Sequence, residues 1–101
     1  MQINFTGHHT DITDPLCQYT LKKFERLTHR GEQIMQVNII YTVEKLTYIA
    51  EASVHMPGRT FEGKASTKKD MYASVDELVD KLDAQITKFH DKQVDHRHHE
   101  E

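Results

Sequence analysis

The sequence has a single cysteine, Cys17, among 101 residues, which excludes a disulfide within the chain. It has no apolar run near the roughly 20 residues that a membrane-spanning helix requires. The first residues, 1–5, contain neither the basic segment nor the apolar segment of a signal peptide. Together these absences lead us to expect a cytoplasmic protein with no membrane partner.

Motifs of catalysis and cofactor binding are also missing. There is no glycine-rich phosphate loop and no nucleophile elbow, and no histidine or acid can be assigned to activate Cys17. The histidines of interest form a pair, His8 and His9, and a group near the C-terminus, and neither position suggests the fixed geometry of a metal site. We therefore expect no enzyme, no cofactor and no functional metal.

The chain has fewer basic residues than acidic ones. The 13 lysines and arginines are outnumbered by 16 aspartates and glutamates, so the formal net charge is −3. This balance disfavours a general nucleic-acid-binding protein, which is usually basic. Hydrophobic residues make up 37% and charged residues 29%, which is typical of a globular domain. Any binding to nucleic acid must therefore depend on where the basic residues lie.

The hydrophobic pattern predicts six elements in the order β-α-β-β-β-α. Thr13 or Asp14 can cap a first helix that has Pro15 in its first turn, and Gly31 is expected to end it. A second amphipathic helix begins near residue 68. The four strand-like runs, which alternate or are rich in β-branched residues, are 3–6, 37–43, 48–56 and 60–66.

These elements predict an α+β fold, a two-layer sandwich in which both helices lie on one face of a four-stranded, mostly antiparallel sheet. The domain is expected to span residues 1–92. Residues 93–101 show no apolar periodicity, so we expect them to form a flexible, histidine-rich tail without secondary structure.

The lysines of the second helix are aligned. On a helical wheel of about 100° per residue, Lys81, Lys88 and Lys92 fall within about 40° of one another and about 100° from the apolar stripe. The stripe consists of Met71, Val75, Leu78, Leu82, Ile86 and Phe89. The aspartates gather on the remaining side, which we interpret as a solvated face. They are Asp76, Asp80, Asp83 and Asp91.

The first helix has a similar row. Lys22, Arg26 and Arg30 are spaced by four and are flanked by Tyr19 and Lys23. Two such helices side by side on a sheet would merge both rows into one basic surface for phosphates. An ordinary solvated face explains the same spacing, and this alternative stays open. Aromatic residues are almost absent from the rows, so recognition of backbone and shape fits better than base stacking.

Several stretches resemble the ribosome hibernation promoting factor family, in its short form. The most specific begins with Asp-Met-Tyr-Ala at Asp70 and continues to Asp-Lys-Leu. The resemblance covers about residues 1–92 and implies a β-α-β-β-β-α fold with both helices on one face. The stretches are 3–7, 11–13, 43–45, 70–76, 80–82 and 85–88.

The resemblance implies a factor that binds 16S rRNA of the small ribosomal subunit, in the groove for mRNA and tRNA, and blocks translation in stationary phase or stress. Short forms act with a separate ribosome modulation factor to pair ribosomes into inactive dimers. We expect the free chain to be monomeric. The residues expected to bind rRNA are Lys22, Lys23, Arg26, Arg30, Lys81, Lys88 and Lys92.

This chain departs from the family pattern in one respect. Members often carry further basic residues in the second helix, where this chain has Asp83, Ala84 and His90. The departure leaves fewer fixed positive charges for contact with RNA.

Two other classes of protein stay open. A double-stranded RNA-binding domain also has basic residues, here Lys68 and Lys69, at the start of a final helix after three strands. The extra strand before the first helix argues against it. A protein–protein module would use the exposed sheet face, where Asn38, Ile40 and Thr42 alternate outward, although that face is polar.

Overall fold

The computed structural model describes residues 1–27 and 34–100, with side chains described as far as residue 89. The predicted order of elements and the α+β fold class are confirmed. The elements are β1 (Gln2–His8), α1 (Asp14–Glu25), β2 (Gln36–Glu44), β3 (Thr47–Met56), β4 (Arg59–Thr67) and α2 (Met71–Glu100).

The four strands form one sheet in the order β1-β2-β3-β4. β1 pairs with β2 in parallel, and both other pairs are antiparallel. A parallel pair needs a crossover connection, and α1 lies in it. The turn between β3 and β4 contains Gly58 with a φ of 77°, a backbone conformation that glycine adopts without steric cost.

Both helices pack on the same face of the sheet. Residues directly opposite each other on paired strands share a face, and this relation links Tyr41 of β2 through Ala50 of β3 to Ala65 of β4. Gly63 lies two residues before Ala65 and therefore faces the same side. Thr20 of α1 reaches Tyr41, and a Cβ on Gly63 would lie 3.1 Å from the nearest carbon of Leu78 in α2. The missing side chain of Gly63 lets α2 lie close to β4.

The predicted apolar stripes of both helices form the core with the inward face of the sheet. Phe89, the last residue of the predicted α2 stripe, is half-buried. The largest fully buried apolar side chains are Tyr41, Phe24, Leu27, Ile39, Leu78, Leu82 and Ile86.

Each helix begins with a side-chain cap. Thr13 Oγ1 accepts a hydrogen bond from Leu16 N at 3.4 Å, which confirms Thr13 as the cap of α1. Asp70 Oδ1 accepts from Ala73 N at 2.8 Å, so α2 begins after Asp70 rather than near residue 68. Ser74 Oγ also donates to Tyr48 O of β3 at 2.7 Å and anchors the first turn of α2 to the sheet.

The helix ends differ from the sequence-based expectation. α1 ends at Glu25, and the expected end at Gly31 lies outside the described residues. The backbone of α2 is helical to Glu100, although secondary structure was expected to stop near residue 93. The sequence after that point contains no proline or glycine to end a helix. The division into a domain over 1–92 and a flexible tail over 93–101 stays a prediction.

A buried pair of hydroxyl groups joins α1 to the sheet. Thr20 Oγ1 donates to Leu16 O at 2.8 Å and lies 2.7 Å from Tyr41 Oη. Because the single hydroxyl proton of Thr20 is given to Leu16, Tyr41 must donate to Thr20. Burial raises the pKa of Tyr41 to about 12.

We expect Thr20→Val to cost about 2 kcal/mol of unfolding free energy, because it leaves the Tyr41 hydroxyl buried without an acceptor. Tyr41→Phe should cost about 1 kcal/mol, because it removes the hydroxyl group and, with it, the cost of burying that group. Urea unfolding of both variants measures the difference. A larger loss for Tyr41→Phe would contradict this assignment of donor and acceptor.

Candidate nucleic-acid interface

The basic residues of α1 lie beside α2. Lys22 and Arg26 are exposed and, being four residues apart, are neighbours on one side of the helix. Lys23 is half-buried against α2. Arg30, the fourth basic residue predicted for this row, lies outside the described residues.

Lys23 is paired with Asp76 of α2. Its Nζ lies 3.2 Å from Asp76 Oδ1 and 5.4 Å from the ring centroid of Tyr19. Tyr19 Oη donates to the same carboxylate oxygen at 2.6 Å, and the Tyr19 ring meets the Tyr72 ring edge to face, with centroids 5.0 Å apart. Lys23 therefore helps to hold the helices together, and less of its charge is available to a phosphate.

These contacts shift the pKa of Asp76 and the pKa of Tyr19. Burial raises the pKa of Asp76, but the hydrogen bonds from Tyr19 and Lys23 and the charges of Lys23 and Arg26 outweigh burial and hold the pKa below its usual value. The hydrogen bond to Asp76, followed by burial, raises the pKa of Tyr19. Asp76 is thus charged and Tyr19 neutral at neutral pH.

Asp76 begins a row of aspartates that faces α1. With Asp80 and Asp83 it lines a groove of about 380 Å³ between the helices. The α1 side of this acidic groove contains Lys23 and Arg26. The solvated face predicted for these aspartates is wrong for Asp76, because a helical wheel cannot show which neighbouring helix a side chain contacts.

The lysines of α2 lie on its opposite side, above β4. Lys81 Nζ donates to Lys64 O at 3.0 Å, and Gln85 Nε2 donates to Glu62 O at 2.8 Å. Lys88 is exposed and lies about two turns beyond Lys81 on the same side. Lys92 belongs to α2, but its side chain is not described.

The two basic rows are therefore separate. Lys22 and Arg26 form the α1 row, and Lys81 and Lys88 form the α2 row, with the acidic groove between them. The single merged surface considered from the sequence is wrong, because the aspartates of α2 face α1 and lie between the two rows. The helix side of the molecule thus presents cations along two lines.

The open face of the sheet, away from the helices, has a net negative charge. Its charged side chains are three glutamates and one lysine, a formal charge of −2, and Lys64 is paired with Glu51 at 3.6 Å. A chain of polar contacts crosses the same face, including Asn4 Nδ2 to Asn38 Oδ1 at 3.1 Å. The polar character predicted for this face is confirmed, and its charge disfavours contact with phosphates.

Other features of the described residues bear on metal binding, membrane insertion and thiol chemistry. Within it, no group of three histidine, cysteine, aspartate or glutamate side chains is placed to hold a metal ion. None of the described helices has the length and apolar character to cross a membrane. Cys17 is half-buried, and burial, with a smaller effect of the Asp14 charge, raises the pKa of its thiol. A raised pKa lowers the reactivity of a thiol at neutral pH.

Comparison with known proteins gives a consistent result. Residues 3–94 match the protein family described as sigma 54 modulation protein / S30EA ribosomal protein. A ribosome hibernation promoting factor from Salmonella typhimurium is 41% identical over 96 residues, covering 95% of this chain and 100% of the relative. A factor of the same name from Azotobacter vinelandii is 42% identical over 95 residues, covering 94% of this chain and 88% of the relative.

Two solved structures have similar folds. A ribosomal subunit interface protein from Coxiella burnetii is 39% identical, with a TM-score of 0.81, over 88% of this chain and 97% of that protein. The N-terminal domain of Protein Y from Thermus thermophilus is 28% identical, with a TM-score of 0.80, over 88% of this chain and 99% of that domain.

We expect Asp76→Asn to lower the stability of the chain at neutral pH, where the charged carboxylate binds Tyr19 and Lys23. A carboxyl whose pKa is lowered by folding stabilises the folded state above its unfolded pKa, and this contribution is lost as pH falls through its folded pKa. The difference in free energy of unfolding between the wild type and Asp76→Asn should therefore shrink as pH falls from about 7 to below about 4.

Urea unfolding across this pH range measures the effect, and Asp80→Asn is the matched control. Asp80 lies four residues further along α2 on the same groove, and its substitution makes the same chemical change. A difference between the wild type and Asp76→Asn that does not vary with pH would contradict the role given to the Asp76 charge.

Proposed function

The chain belongs to the family of sigma 54 modulation proteins and S30EA ribosomal proteins, and we propose that it is a cytoplasmic ribosome hibernation factor. The support comes from relatives of that name that align with nearly the whole chain, and from the similar fold of a ribosomal subunit interface protein. In this proposal the chain binds the small ribosomal subunit and blocks translation in stationary phase or stress.

The observation that carries the proposal is the presence of the two basic rows on the helix side of the molecule. Lys22 and Arg26 are exposed in one row and Lys88 in the other, whereas the open sheet face has a formal charge of −2 and its lysine, Lys64, is paired with Glu51. The rows attract phosphates and the open face repels them, so in this proposal the helix layer meets 16S rRNA. Residues expected to contact it are Lys22, Lys23, Arg26, Arg30, Lys81, Lys88 and Lys92.

The mechanism we propose is steric occlusion. Two helices held on a sheet form a rigid body, and this body lies in the groove where mRNA and tRNA must bind. No chemical step is required, because occupancy alone blocks the groove. The occupied subunits are then paired into inactive ribosome dimers with the help of a ribosome modulation factor.

The acidic groove between the rows affects how RNA is bound. Asp76, Asp80 and Asp83 repel a phosphate that would lie between the helices. Contacts with the RNA backbone are therefore divided between the α1 row and the α2 row. Because Lys23 is already paired with Asp76, we expect it to contribute less than Arg26.

We expect the affinity for isolated small subunits to fall steeply with salt. About four to six phosphate contacts predict a slope of roughly −3 to −5 for log K against log salt. Binding measured from about 50 to 200 mM salt gives this slope, with large subunits and an A-form RNA duplex as competitors. Equal affinity for large subunits, equal affinity for the duplex, or no salt dependence would contradict the proposal.

We expect Arg26→Glu and Lys88→Glu, one in each row, to weaken binding to small subunits by about tenfold or more, which corresponds to about 1.4 kcal/mol. Both residues are exposed, so the free energy of unfolding should change by only about 0.5 kcal/mol. Lys64→Glu is the matched control, because it makes the same charge change on the open sheet face.

Affinity and thermal unfolding are measured on the same preparations. A loss of affinity that is equal for Lys64→Glu would indicate a response to net charge alone. A variant that loses affinity together with its thermal transition would show that the residue supports the fold instead of contacting RNA.

A further inference from the structure

We propose that Arg59, the first residue of β4, binds an rRNA phosphate and continues the α2 row from the helix onto the sheet. The inference rests on the proposed function, because it identifies a further contact with the same RNA. The residues predicted from the sequence to contact RNA were assigned to the two predicted helices, and Arg59 is not among them.

Two aromatic rings hold the side chain of Arg59. Its Cζ lies 4.4 Å from the ring centroid of Phe89 in α2 and 4.9 Å from that of Phe61 in β4. The rings meet edge to face, with centroids 5.7 Å apart, and Phe61 is buried in the core. A guanidinium on an aromatic face is stabilised by the cation–π interaction, so its position is set before any ligand binds.

The aromatic contacts leave the hydrogen-bonding groups of Arg59 available. The planes of the two rings are 74° apart, so the guanidinium lies flat on at most one of them, and the N–H donors that do not face the other ring stay open to a ligand. Among residues 1–27 and 34–89, no carboxylate forms an ion pair with Arg59. A phosphate fits this arrangement, because its oxygens accept two parallel hydrogen bonds from one guanidinium.

The location of Arg59 connects it with the α2 row. Phe89, which contacts the guanidinium, directly follows Lys88 in the helix. The hydrogen bond from Gln85 to Glu62 O holds this part of α2 on β4. Lys81, Lys88 and Arg59 therefore lie along the β4 side of α2, the side away from the acidic groove. An RNA backbone that contacts the lysines meets the guanidinium next.

A purely structural role for Arg59 gives a different expectation. In that case the side chain only covers the edges of Phe61 and Phe89, and any long side chain with an apolar stem would replace it. Arg59→Met keeps such a stem and removes the charge. Arg59→Lys keeps the charge and removes the planar fork of donors.

The test is the affinity of each variant for isolated small subunits, at several salt concentrations and at a temperature where circular dichroism shows every variant folded. We expect Arg59→Met to weaken binding about tenfold and to reduce the salt slope by about 1. Arg59→Lys should keep the wild-type slope and lose about threefold in affinity, since a point charge replaces a bidentate contact.

Two further variants distinguish the effect of the position of Arg59 from the effect of net charge on binding. Lys64→Met removes one cation from the open sheet face, and its affinity should stay within about twofold of the wild type, because surface substitutions away from a contact have small effects. Phe89→Leu keeps an apolar contact but removes the ring. It should weaken binding in the wild type and have no further effect in Arg59→Met, because both substitutions then remove one interaction.

The outcomes distinguish this inference from the proposed function. Wild-type affinity and slope for Arg59→Met would overturn the inference, while salt-dependent binding of the wild type to small subunits would leave the proposed function standing. Equal losses for Arg59→Met and Lys64→Met would also overturn it. Absence of binding by the wild type would overturn both.

Discussion

The carboxylate of Asp76 joins the two helices side by side, and the binding surface depends on that arrangement. One of its oxygens accepts a hydrogen bond from Tyr19 and pairs with Lys23, both on α1. The buried stripe of α2 and this contact place its aspartates toward α1 and its lysines toward β4. This arrangement divides the cations into two rows, and an acidic groove separates them.

The sheet holds both helices in fixed positions on one of its faces. Gly63 lets α2 lie close to β4, and the buried bond between Thr20 and Tyr41 ties α1 to β2. With both helices on one face, the opposite face is left to side chains of net negative charge. A chain with an overall charge of −3 can thus present basic residues to RNA only as local rows, because its helices also carry aspartates and glutamates.

The sequence predicts the elements well and their mutual contacts poorly. Periodicity identifies the buried stripe that contains Leu78, and cap chemistry identifies Thr13, because both depend on residues close in the chain. The pairing of Lys23 with Asp76 and the stacking of Arg59 on Phe89 depend on how separate elements pack. No wheel of a single helix contains that information. The described side chains do not include two predicted contacts, Arg30 and Lys92.

An electron cryomicroscopy map of the small subunit with this chain bound tests the central claim most directly. The account predicts the helix layer against 16S rRNA in the mRNA and tRNA groove. Lys22 and Arg26 should lie within hydrogen-bonding distance of phosphate oxygens on one side of the acidic groove, and Lys88 on the other, with the open sheet face directed away from RNA. A map with the sheet face against rRNA, or with the chain outside that groove, would contradict it.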